Sequence, residues 1–498
     1  MLDSILPLIA NHGRPLRRDN ILSAQTRYAE LAQKLKLDLE AGLYPRDTRL
    51  PSIRHLCAAF GASPITVTHA LHLLEDQGLI EARGRAGFFA CTAKAAPLLP
   101  TQTTPLEPQP HYVALSERRA ETLAFRGQIG ANQHDRLSNL RLDPSLYPAS
   151  ALIRGMQELA RKNPQFITDW SGPPSPRLQT QLARRYARFG CHWQVEEIFI
   201  TDNHMDSVHS MLELLTRPGD LVAVQSPCPM VLLDILDHRG VNVLEIPTDP
   251  AEGLSLDTLA FALKHHTLAA CVFEANFPNP TGSLMSDEAK RKTVALLAEH
   301  KVPLIEDDKF GDIYFGVNRP LPFKAFDANG IVYYCGELGF LLAPGLSAGF
   351  AAVGDQRLAF HYARASRGNY GPTRLVRHLL ADFMADGRFE RHLRRLRQHV
   401  AQNMVMIRNA VLAHFPAQTR VAAPKGGALL WLELPRMVDT SALLDEALKL
   451  GVGFVPGRFF SLDDSFKHCL RLNAGFRPDA ALTQEIATLG RLVHAHCS

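Results

Sequence analysis

Two polar side chains in the middle of the chain stand where a ligand could be bound. Asn279 lies in an Asn-Pro-Thr-Gly turn that follows one apolar run, and Asp307 lies in the acidic end of the next apolar run. Ligands of parallel β-sheets bind beyond the carboxyl ends of the strands, and both residues are predicted to lie at such ends. An aspartate in that position can hold a protonated nitrogen, but it can equally be a satisfied strand-end carboxylate or a helix cap.

The elements that must position these residues form a parallel unit of strand, helix and strand. Apolar runs at 269–273 and 302–305 predict the strands, and a polar run at 287–300 predicts the helix between them. Further short apolar runs alternate with helices at 198–201, 221–225, 241–246 and 331–334. This alternation is typical of a doubly wound α/β domain. A long basic helix at 388–415 then leads into a smaller α/β domain.

The length and composition are those of an ordinary globular protein with two or three domains. The chain has 498 residues, 46% hydrophobic and 21% charged residues, and a formal net charge of +4, so bulk charge alone does not indicate a nucleic-acid partner. Its eight cysteines show no metal-ligand spacing, which predicts reduced thiols, no metal site and a cytoplasmic location. No apolar run is long enough to span a membrane, and the start lacks the basic region of a signal peptide.

The N-terminal part of the chain predicts a small helical domain with a two-stranded wing. Helices are predicted at 26–41, 51–60 and 64–77, and the wing strands at 79–83 and 88–90. Pro51 suits the first turn of the second helix, because its missing N–H is not needed there. Ser63 is the predicted N-cap of the third helix, with Pro64 as its first residue. Three helices followed by a wing predict a winged helix-turn-helix, a mostly α domain.

The chain therefore divides into four predicted segments. The winged helix-turn-helix domain covers 26–92, and a proline-rich linker covers 93–112, because such a composition cannot build a core and acts as a spacer. The large α/β domain covers 137–385 and the smaller C-terminal α/β domain covers 386–498.

The N-terminal domain resembles the DNA-binding domain of the GntR family from Arg27 to Cys91. A Leu-Pro-Ser-x-Arg element at 50–54 and the Gly-x-x-Gly of the wing carry this resemblance. It implies binding to double-stranded DNA, with the third helix in the major groove. The residues that it assigns to DNA contact are Ser52, Arg54, Ser63, Thr66, Arg83 and Arg85. The alternative is a set of solvated surface residues on a helical bundle, and Pro64 stands where many relatives carry arginine.

Residues 140–498 resemble the fold type I aminotransferases. The Asn-Pro-Thr-Gly turn, Asp307 and a Leu-Ala-Pro-Gly-Leu run at 342–346 carry this resemblance. It implies a mixed, mainly parallel sheet, a pocket between the two subunits of a homodimer, and pyridoxal phosphate as the family cofactor. Arg471 matches the arginine that binds the substrate carboxylate in that family, since a guanidinium can bind a carboxylate through two hydrogen bonds. A structural ion pair is the alternative role for Arg471.

The cofactor chemistry of that family is missing from this chain. Counting back from the run at 342–346 places Phe340 at the position of the Schiff-base lysine. Replacements at the family's other cofactor contacts are Asp202, Asn203, His204, Lys309, Glu337, Gly339 and Ser347. Relative to that family, carboxylates are added and an arginine is lost, and both changes disfavour the binding of a dianionic phosphate. The resemblance therefore predicts no covalently bound cofactor and no catalytic activity.

The whole chain resembles the MocR-type regulators of the GntR family, in which an aminotransferase-like domain is fused to a DNA-binding domain. The predicted function is a homodimeric transcription regulator that binds operator half-sites and a small effector. The predicted effector is an amino acid or amine, with its cationic end toward Glu337 and its carboxylate toward Arg471. The alternative is a pyridoxal phosphate enzyme, or a cofactor-loaded regulator, that uses Lys309 as its amine. The predicted pocket residues are Asn279, Asp307, Lys309, Glu337, Phe340 and Arg471.

Overall fold

The chain divides into two compact units, Met1–Ala95 and Ala96–Ser498. The computed structural model describes residues 28–29, 31–36, 39, 44, 47–83, 87–91, 122, 124–125, 127, 136–168, 175–249 and 253–497. The division falls within the linker that the sequence predicts at 93–112, and that linker lies outside the described residues.

The smaller unit is a winged helix-turn-helix. Its elements are α1 (Ile53–Phe60), α2 (Pro64–Asp76), β1 (Ile80–Ala82) and β2 (Phe88–Ala90), with helical residues before α1 at 28–29, 31–36 and 39. The two strands pair antiparallel as the predicted wing. Val67, Ala70, Leu71 and Leu74 of α2 are buried in a core with Leu35. These side chains repeat at helical spacing, so one face of α2 is apolar and the other is left to solvent.

Serine side chains cap the N-termini of α1 and α2. Ser52 accepts the backbone N–H of His55, and Ser63 accepts the backbone N–H of Thr66. The sequence predicts Ser63 as N-cap and Pro64 as the first helical residue, and both are confirmed. It also predicts Pro51 within the first turn of α1, which is wrong. Ser52 has an extended backbone and supplies the cap, so Pro51 precedes the helix.

An eight-stranded sheet forms the centre of the larger unit. Its strands in chain order are β3 (Ile198–Thr201), β4 (Leu221–Ser226), β5 (Asn242–Asp249), β6 (Gly253–Leu254), β7 (Ala270–Phe273), β8 (Leu304–Asp308), β9 (Val332–Glu337) and β10 (Gly349–Ala352). The spatial order is β3-β10-β9-β8-β7-β4-β5-β6. The five strands from β9 to β5 in that order are parallel, and β10 runs antiparallel to both of its neighbours. The prediction of a mixed, mainly parallel sheet is confirmed.

Helices cover the sheet and bury its apolar side chains. They are α3 (Ala149–Lys162), α4 (Gln165–Thr168), α5 (Arg177–Tyr186), α6 (His204–Leu215), α7 (Met230–Arg239), α8 (Leu256–His265), α9 (Asp287–Glu299), α10 (Gly339–Leu342), α11 (Arg357–Ala365) and α12 (Arg374–Ala385). Strand residues such as Val272 and Ile305 have essentially no exposed surface, as expected when helices cover a parallel sheet. Within the described part of the chain, no helix is long and apolar enough to cross a membrane.

The C-terminal part of this unit is a smaller α/β layer. Its elements are α13 (Arg388–His414), β11 (Arg420–Val421), β12 (Leu429–Glu433), α14 (Thr440–Lys449), β13 (Val455–Pro456), β14 (Cys469–Asn473) and α15 (Ala480–His496). The strands form an antiparallel sheet in the order β11-β12-β14-β13. Ile407, Leu430, Leu443, Leu470 and Leu489 share one buried core. This layer carries Arg471 on β14, and so it supplies one side of the candidate site.

Candidate functional site

Three neighbouring parallel strands carry carboxylates at one edge of the large sheet. Asp307 lies near the end of β8, Glu337 is the last residue of β9, and Glu274 directly follows β7. Because β8 lies between β7 and β9, the three residues meet at one edge. All three are buried. This is the edge at which α/β sheets bind ligands.

Glu337 lies against the N-terminus of α6, where protein groups satisfy it. Its Oε2 accepts hydrogen bonds from Nδ1 of His204 at 2.7 Å and from the backbone N–H of His204 at 3.3 Å. Its Oε1 accepts the backbone N–H of Phe340 at 3.0 Å. Burial acts to raise the pKa of Glu337, but the hydrogen bond from His204 and the charges of His204 and Lys309 outweigh burial and lower it. Glu337 is therefore an ionised carboxylate held by the protein itself.

The backbone of α6 and β10 approach closely at this point. Asn203 caps α6 by accepting the backbone N–H of Asp206 at 3.0 Å. A Cβ at Gly349 would lie 2.4 Å from the backbone carbon of Asn203, so the approach requires glycine. The hydroxyl of Ser347 donates to the backbone carbonyl of Asp202 at 2.6 Å. We define the nest wall of the pocket as Asn203, His204, Glu337 and Phe340.

Asp307 lies across the pocket and is only partly satisfied. Its Oδ2 lies 3.8 Å from Nε2 of His204, and its buried Oδ1 has no hydrogen-bond partner among the described residues. Burial raises the pKa of Asp307, and the charges of His204 and Lys309 offset that rise only in part. An unpartnered buried acceptor costs about 1–3 kcal/mol. The oxygen therefore marks a position that a ligand donor could satisfy.

Lys309 places an amine near Asp307 without a polar partner. Its Nζ lies 5.0 Å from the centroid of the Phe340 ring and 5.5 Å from that of Phe310. In the described part of the chain it forms no hydrogen bond and no ion pair within 4.0 Å. The side chain as a whole is half-buried, but the amine end is desolvated. This burial lowers the pKa of Lys309, although the neighbouring carboxylates raise it.

Glu274 belongs to the same side of the pocket, and the sequence analysis missed it. Its Oε2 accepts the backbone N–H of Asn279 at 3.2 Å. Burial and the negative charge of Asp307 raise the pKa of Glu274 well above its ordinary value. An acid between the apolar run at 269–273 and the Asn-Pro-Thr-Gly turn was the signal that could have found it.

Arg471 completes this side of the pocket from β14. Its Nη2 donates to the backbone carbonyl of Ser138, and its Nη1 donates to Oδ1 of Asn279 at 3.4 Å. Its guanidinium lies 5.5 Å from the centroid of the Phe460 ring. The charge of Arg471 is among the causes that lower the pKa of Lys309, after burial. We define the open wall of the pocket as Glu274, Asp307, Lys309 and Arg471.

The nest wall does not fit the phosphate of pyridoxal phosphate. The carboxylate of Glu337 occupies the backbone N–H groups of His204 and Phe340, which a phosphate would otherwise use. Phe340, which the sequence predicts to stand at the lysine position, packs its ring edge-on against Phe310, the ring centroids 5.6 Å apart. A second anion beside Glu337 would meet a negative charge where the cofactor needs a positive one.

The predicted DNA-contacting residues lie around the start of α1, the start of α2 and the wing. Ser52, Arg54 and Ser63 are exposed, and Thr66 is half-buried with its hydroxyl 2.8 Å from that of Ser63. Arg83 is engaged within the unit, because it pairs with Asp47 and Glu81 and lies over the Phe89 ring at 4.6 Å. Arg85 lies outside the described residues.

Comparison with known proteins matches both units to families. Residues 27–90 match the model "Bacterial regulatory proteins, gntR family", and residues 147–487 match "Aminotransferase class I and II". The chain is also 30% identical over 480 residues to the "Uncharacterized HTH-type transcriptional regulator YdcR" of Escherichia coli, covering 94% of this chain and 99% of that protein. The chain belongs to the GntR family of helix-turn-helix transcriptional regulators and carries an aminotransferase-like unit.

Of two further comparisons, the first covers most of the chain and the second covers its aminotransferase-like unit. The "Probable rhizopine catabolism regulatory protein MocR" of Rhizobium meliloti is 25% identical over 444 residues, with 86% of each chain covered. The crystal structure of Pyrococcus horikoshii kynurenine aminotransferase superposes with a TM-score of 0.70 at 20% identity, covering 77% of this chain and 99% of that one. This structural likeness shows that the larger unit has the aminotransferase fold.

Proposed function

We propose that this MocR-type chain is a transcription regulator whose aminotransferase-like unit binds a small effector and does not catalyse transamination. The GntR match and the resemblance over the full length of a helix-turn-helix regulator support the regulatory role. The unit at 28–91 supplies the DNA contacts, and two such units on a homodimer address paired operator half-sites.

The proposal rests on two features of the nest wall, the side chain of Phe340 and the hydrogen bonds of Glu337. Phe340, which replaces the lysine, is an apolar side chain that cannot act as a nucleophile. Glu337 holds the backbone N–H groups that would bind a phosphate. The same pocket keeps an unpartnered oxygen on Asp307 and a buried guanidinium on Arg471. A site that has lost the cofactor contacts but kept polar groups on the open wall is suited to ligand binding.

The effector class expected from the sequence is an amino acid or amine, with a carboxylate on Arg471. The structure supports the arginine end, because Arg471 is oriented by Asn279 and Ser138. A cationic end directed at Glu337 would meet a carboxylate that already accepts hydrogen bonds from His204 and Phe340. The unpartnered oxygen of Asp307 is the better acceptor for a ligand N–H or O–H in this pocket.

A second candidate function is a cofactor-loaded protein that uses Lys309 as its amine. The unpartnered Nζ of Lys309 is the observation that favours it. Purified protein mixed with pyridoxal phosphate distinguishes the two functions by absorbance. We expect no visible band and no labelled lysine after borohydride treatment. A yellow protein that is bleached by Lys309→Ala would establish the second function.

The regulatory role is tested with Arg54→Ala and Thr66→Ala against the DNA fragment upstream of the protein's own gene. We expect both variants to bind roughly tenfold more weakly, since an arginine contact to phosphate or base contributes about 1–3 kcal/mol. The slope of affinity against salt should also fall for Arg54→Ala. Arg217→Ala, an exposed arginine in the larger unit, is the matched control. Wild-type affinity in both test variants would refute the assigned DNA surface.

A further inference from the structure

Helix α2, the helix expected in the major groove, exposes one large apolar side chain. Ile65 is the second residue of this helix and is 72% exposed. Among the described residues of the smaller unit it is the one large apolar side chain that is exposed, and it lies outside the core and outside the side chains packed against that core. Single exposed apolar residues are common on protein surfaces, so the inference depends on where Ile65 lies in the helix.

The charges of α2 determine which of its ends can approach DNA. Its first turn contains no acidic residue, whereas the helix ends in Glu75 and Asp76. Carboxylates repel the phosphate groups of DNA, and the N-terminus of a helix carries the positive end of its dipole. The first two turns, residues 64–71, are therefore the part of α2 that can enter the groove, as in other helix-turn-helix domains. Ile65 lies in these turns.

The side chains that usually recognise bases through paired hydrogen bonds are missing from α2. Arginine, lysine, asparagine and glutamine bind guanine or adenine in this way, and the helix, with the sequence PITVTHALHLLED, contains none of them. Its first polar side chains also have partners within the unit. The hydroxyl of Thr66 lies 2.8 Å from that of the N-cap Ser63. The ring of His69 packs edge-on against Tyr28, with the ring centroids 5.8 Å apart.

We propose that Ile65 recognises a thymine in each operator half-site through the 5-methyl group of that base. The inference rests on the proposed function, because it names a base that the DNA-binding unit selects. The thymine methyl is the apolar group that the bases present in the major groove. Contact with Ile65 removes both apolar surfaces from water and so stabilises the complex without a hydrogen bond. Cytosine lacks this methyl, and its amino group would be left against an apolar side chain without an acceptor.

Arginines of the smaller unit are expected to position the DNA and not to select this base. Arg54 lies in the first turn of α1 and is exposed, and an arginine contact with phosphate carries no sequence information. Arg83 of the wing is paired with Asp47 and Glu81. Ile65 should therefore affect which sequence is bound, whereas a phosphate contact of Arg54 should affect the affinity for all sequences.

The test is uracil interference with the purified full-length protein. Binding sites are first enriched from a library of random-sequence duplexes. Each thymine of the enriched site is then replaced in turn by deoxyuridine, which differs only in lacking the methyl group. We expect one such replacement per half-site to weaken binding roughly fourfold, since one buried carbon contributes about 0.8 kcal/mol.

Ile65→Ala removes the proposed contact and leaves the serine cap of α2 in place. We expect this variant to bind the unsubstituted site roughly fourfold more weakly per half-site and to lose the sensitivity to deoxyuridine at that thymine. Ile65→Val keeps a branched apolar side chain and should retain part of the sensitivity. Ile153→Ala, which removes an exposed isoleucine from α3 of the larger unit, is the matched control and should keep the full sensitivity.

Two results overturn the inference. One is an enriched site in which no deoxyuridine replacement weakens binding of the wild-type protein, and the other is equal sensitivity at the same thymine in wild type and Ile65→Ala. Either result leaves the regulatory function standing, because the enriched site is still bound. Failure of the wild-type protein to enrich any duplex would instead refute the regulatory function, and the inference with it.

Discussion

The two walls of the pocket differ in how far the protein satisfies their polar groups. On the nest wall, the carboxylate of Glu337 receives its hydrogen bonds from His204 and Phe340. On the open wall, an oxygen of Asp307 and the amine of Lys309 have no hydrogen-bond partner among the described residues. The carboxylate of the nest wall is thus hydrogen-bonded by the protein's own groups. On the open wall, one atom of Asp307 and one of Lys309 remain without such bonds.

This difference separates polar groups that the protein itself satisfies from polar groups that a ligand could satisfy. Buried polar groups without partners cost about 1–3 kcal/mol each, and the open wall carries that cost in the absence of a ligand. A ligand that donates a hydrogen bond to Asp307 would recover part of it. The nest wall offers no such gain, because a ligand there must displace Glu337.

The largest expected effect comes from breaking the nest wall with Glu337→Ala. Removing this buried carboxylate leaves the imidazole and N–H of His204 and the N–H of Phe340 without an acceptor. We expect the free energy of unfolding to fall by about 3–5 kcal/mol, as for one partner removed from a buried ion pair. Urea unfolding measures this fall, and Glu196→Ala, an exposed acid, is the control. Inorganic phosphate should restore stability to the Glu337→Ala variant and not to wild type, and no restoration would contradict the nest assignment.

The next effect concerns the pH dependence of the open wall. The folded pKa of Lys309 is lowered, so the neutral amine appears below the ordinary lysine pKa of about 10.4. Reductive labelling of Lys309 with glyoxylate and cyanoborohydride, followed by peptide mass spectrometry, should therefore increase as pH rises through the lowered pKa and level off above it. Labelling of the exposed Lys264 should increase only toward the ordinary lysine pKa. Identical pH profiles for the two lysines would show that the amine of Lys309 is not desolvated.

A smaller effect is expected on stability when Lys309 is replaced by methionine. The folded state disfavours the protonated amine, so burying this amine costs free energy wherever the unfolded lysine is charged. Lys309→Met should raise the free energy of unfolding by about 1 kcal/mol at pH 7. The gain should shrink as pH rises from the lowered folded pKa toward the unfolded pKa of about 10.4, and it should vanish above that pH, where both states are neutral. Lys264→Met should leave stability unchanged, and a loss of stability in Lys309→Met would mean that the amine has a favourable partner.

The smallest expected effect is a gain of cofactor binding by the double variant Phe340→Lys with Ser347→Arg. It restores a lysine and an arginine, yet Glu337 still holds the N–H groups of the nest wall. We expect an absorbance titration to give a dissociation constant above roughly 100 µM. Adding Glu337→Ser should tighten binding because the nest becomes free. Tight binding by the double variant alone would show that Glu337 does not exclude the phosphate.

Local patterns in the sequence determined most of the secondary structure and the families of both units. The N-cap at Ser63, the wing strands and the alternation of strands and helices all follow from neighbouring residues. The assignment of Phe340 to the lysine position rests on the register of the run at 342–346 and stays a prediction. Errors occurred at boundaries, as at Pro51, and strands β8 and β9 extend into the polar residues that an apolar pattern leaves out.

The tertiary structure decided which polar groups of the pocket lie together and which are hydrogen-bonded. Glu337 and His204 lie 133 positions apart in the chain, and no local pattern predicts their hydrogen bond. They meet because β10 lies between β3 and β9, which brings the start of α6 to the end of β9. Glu274 enters the site because β7 is adjacent to β8. Sequence alone specifies residue types and local periodicity, whereas strand order determines which side chains share a desolvated space and therefore which charges are satisfied.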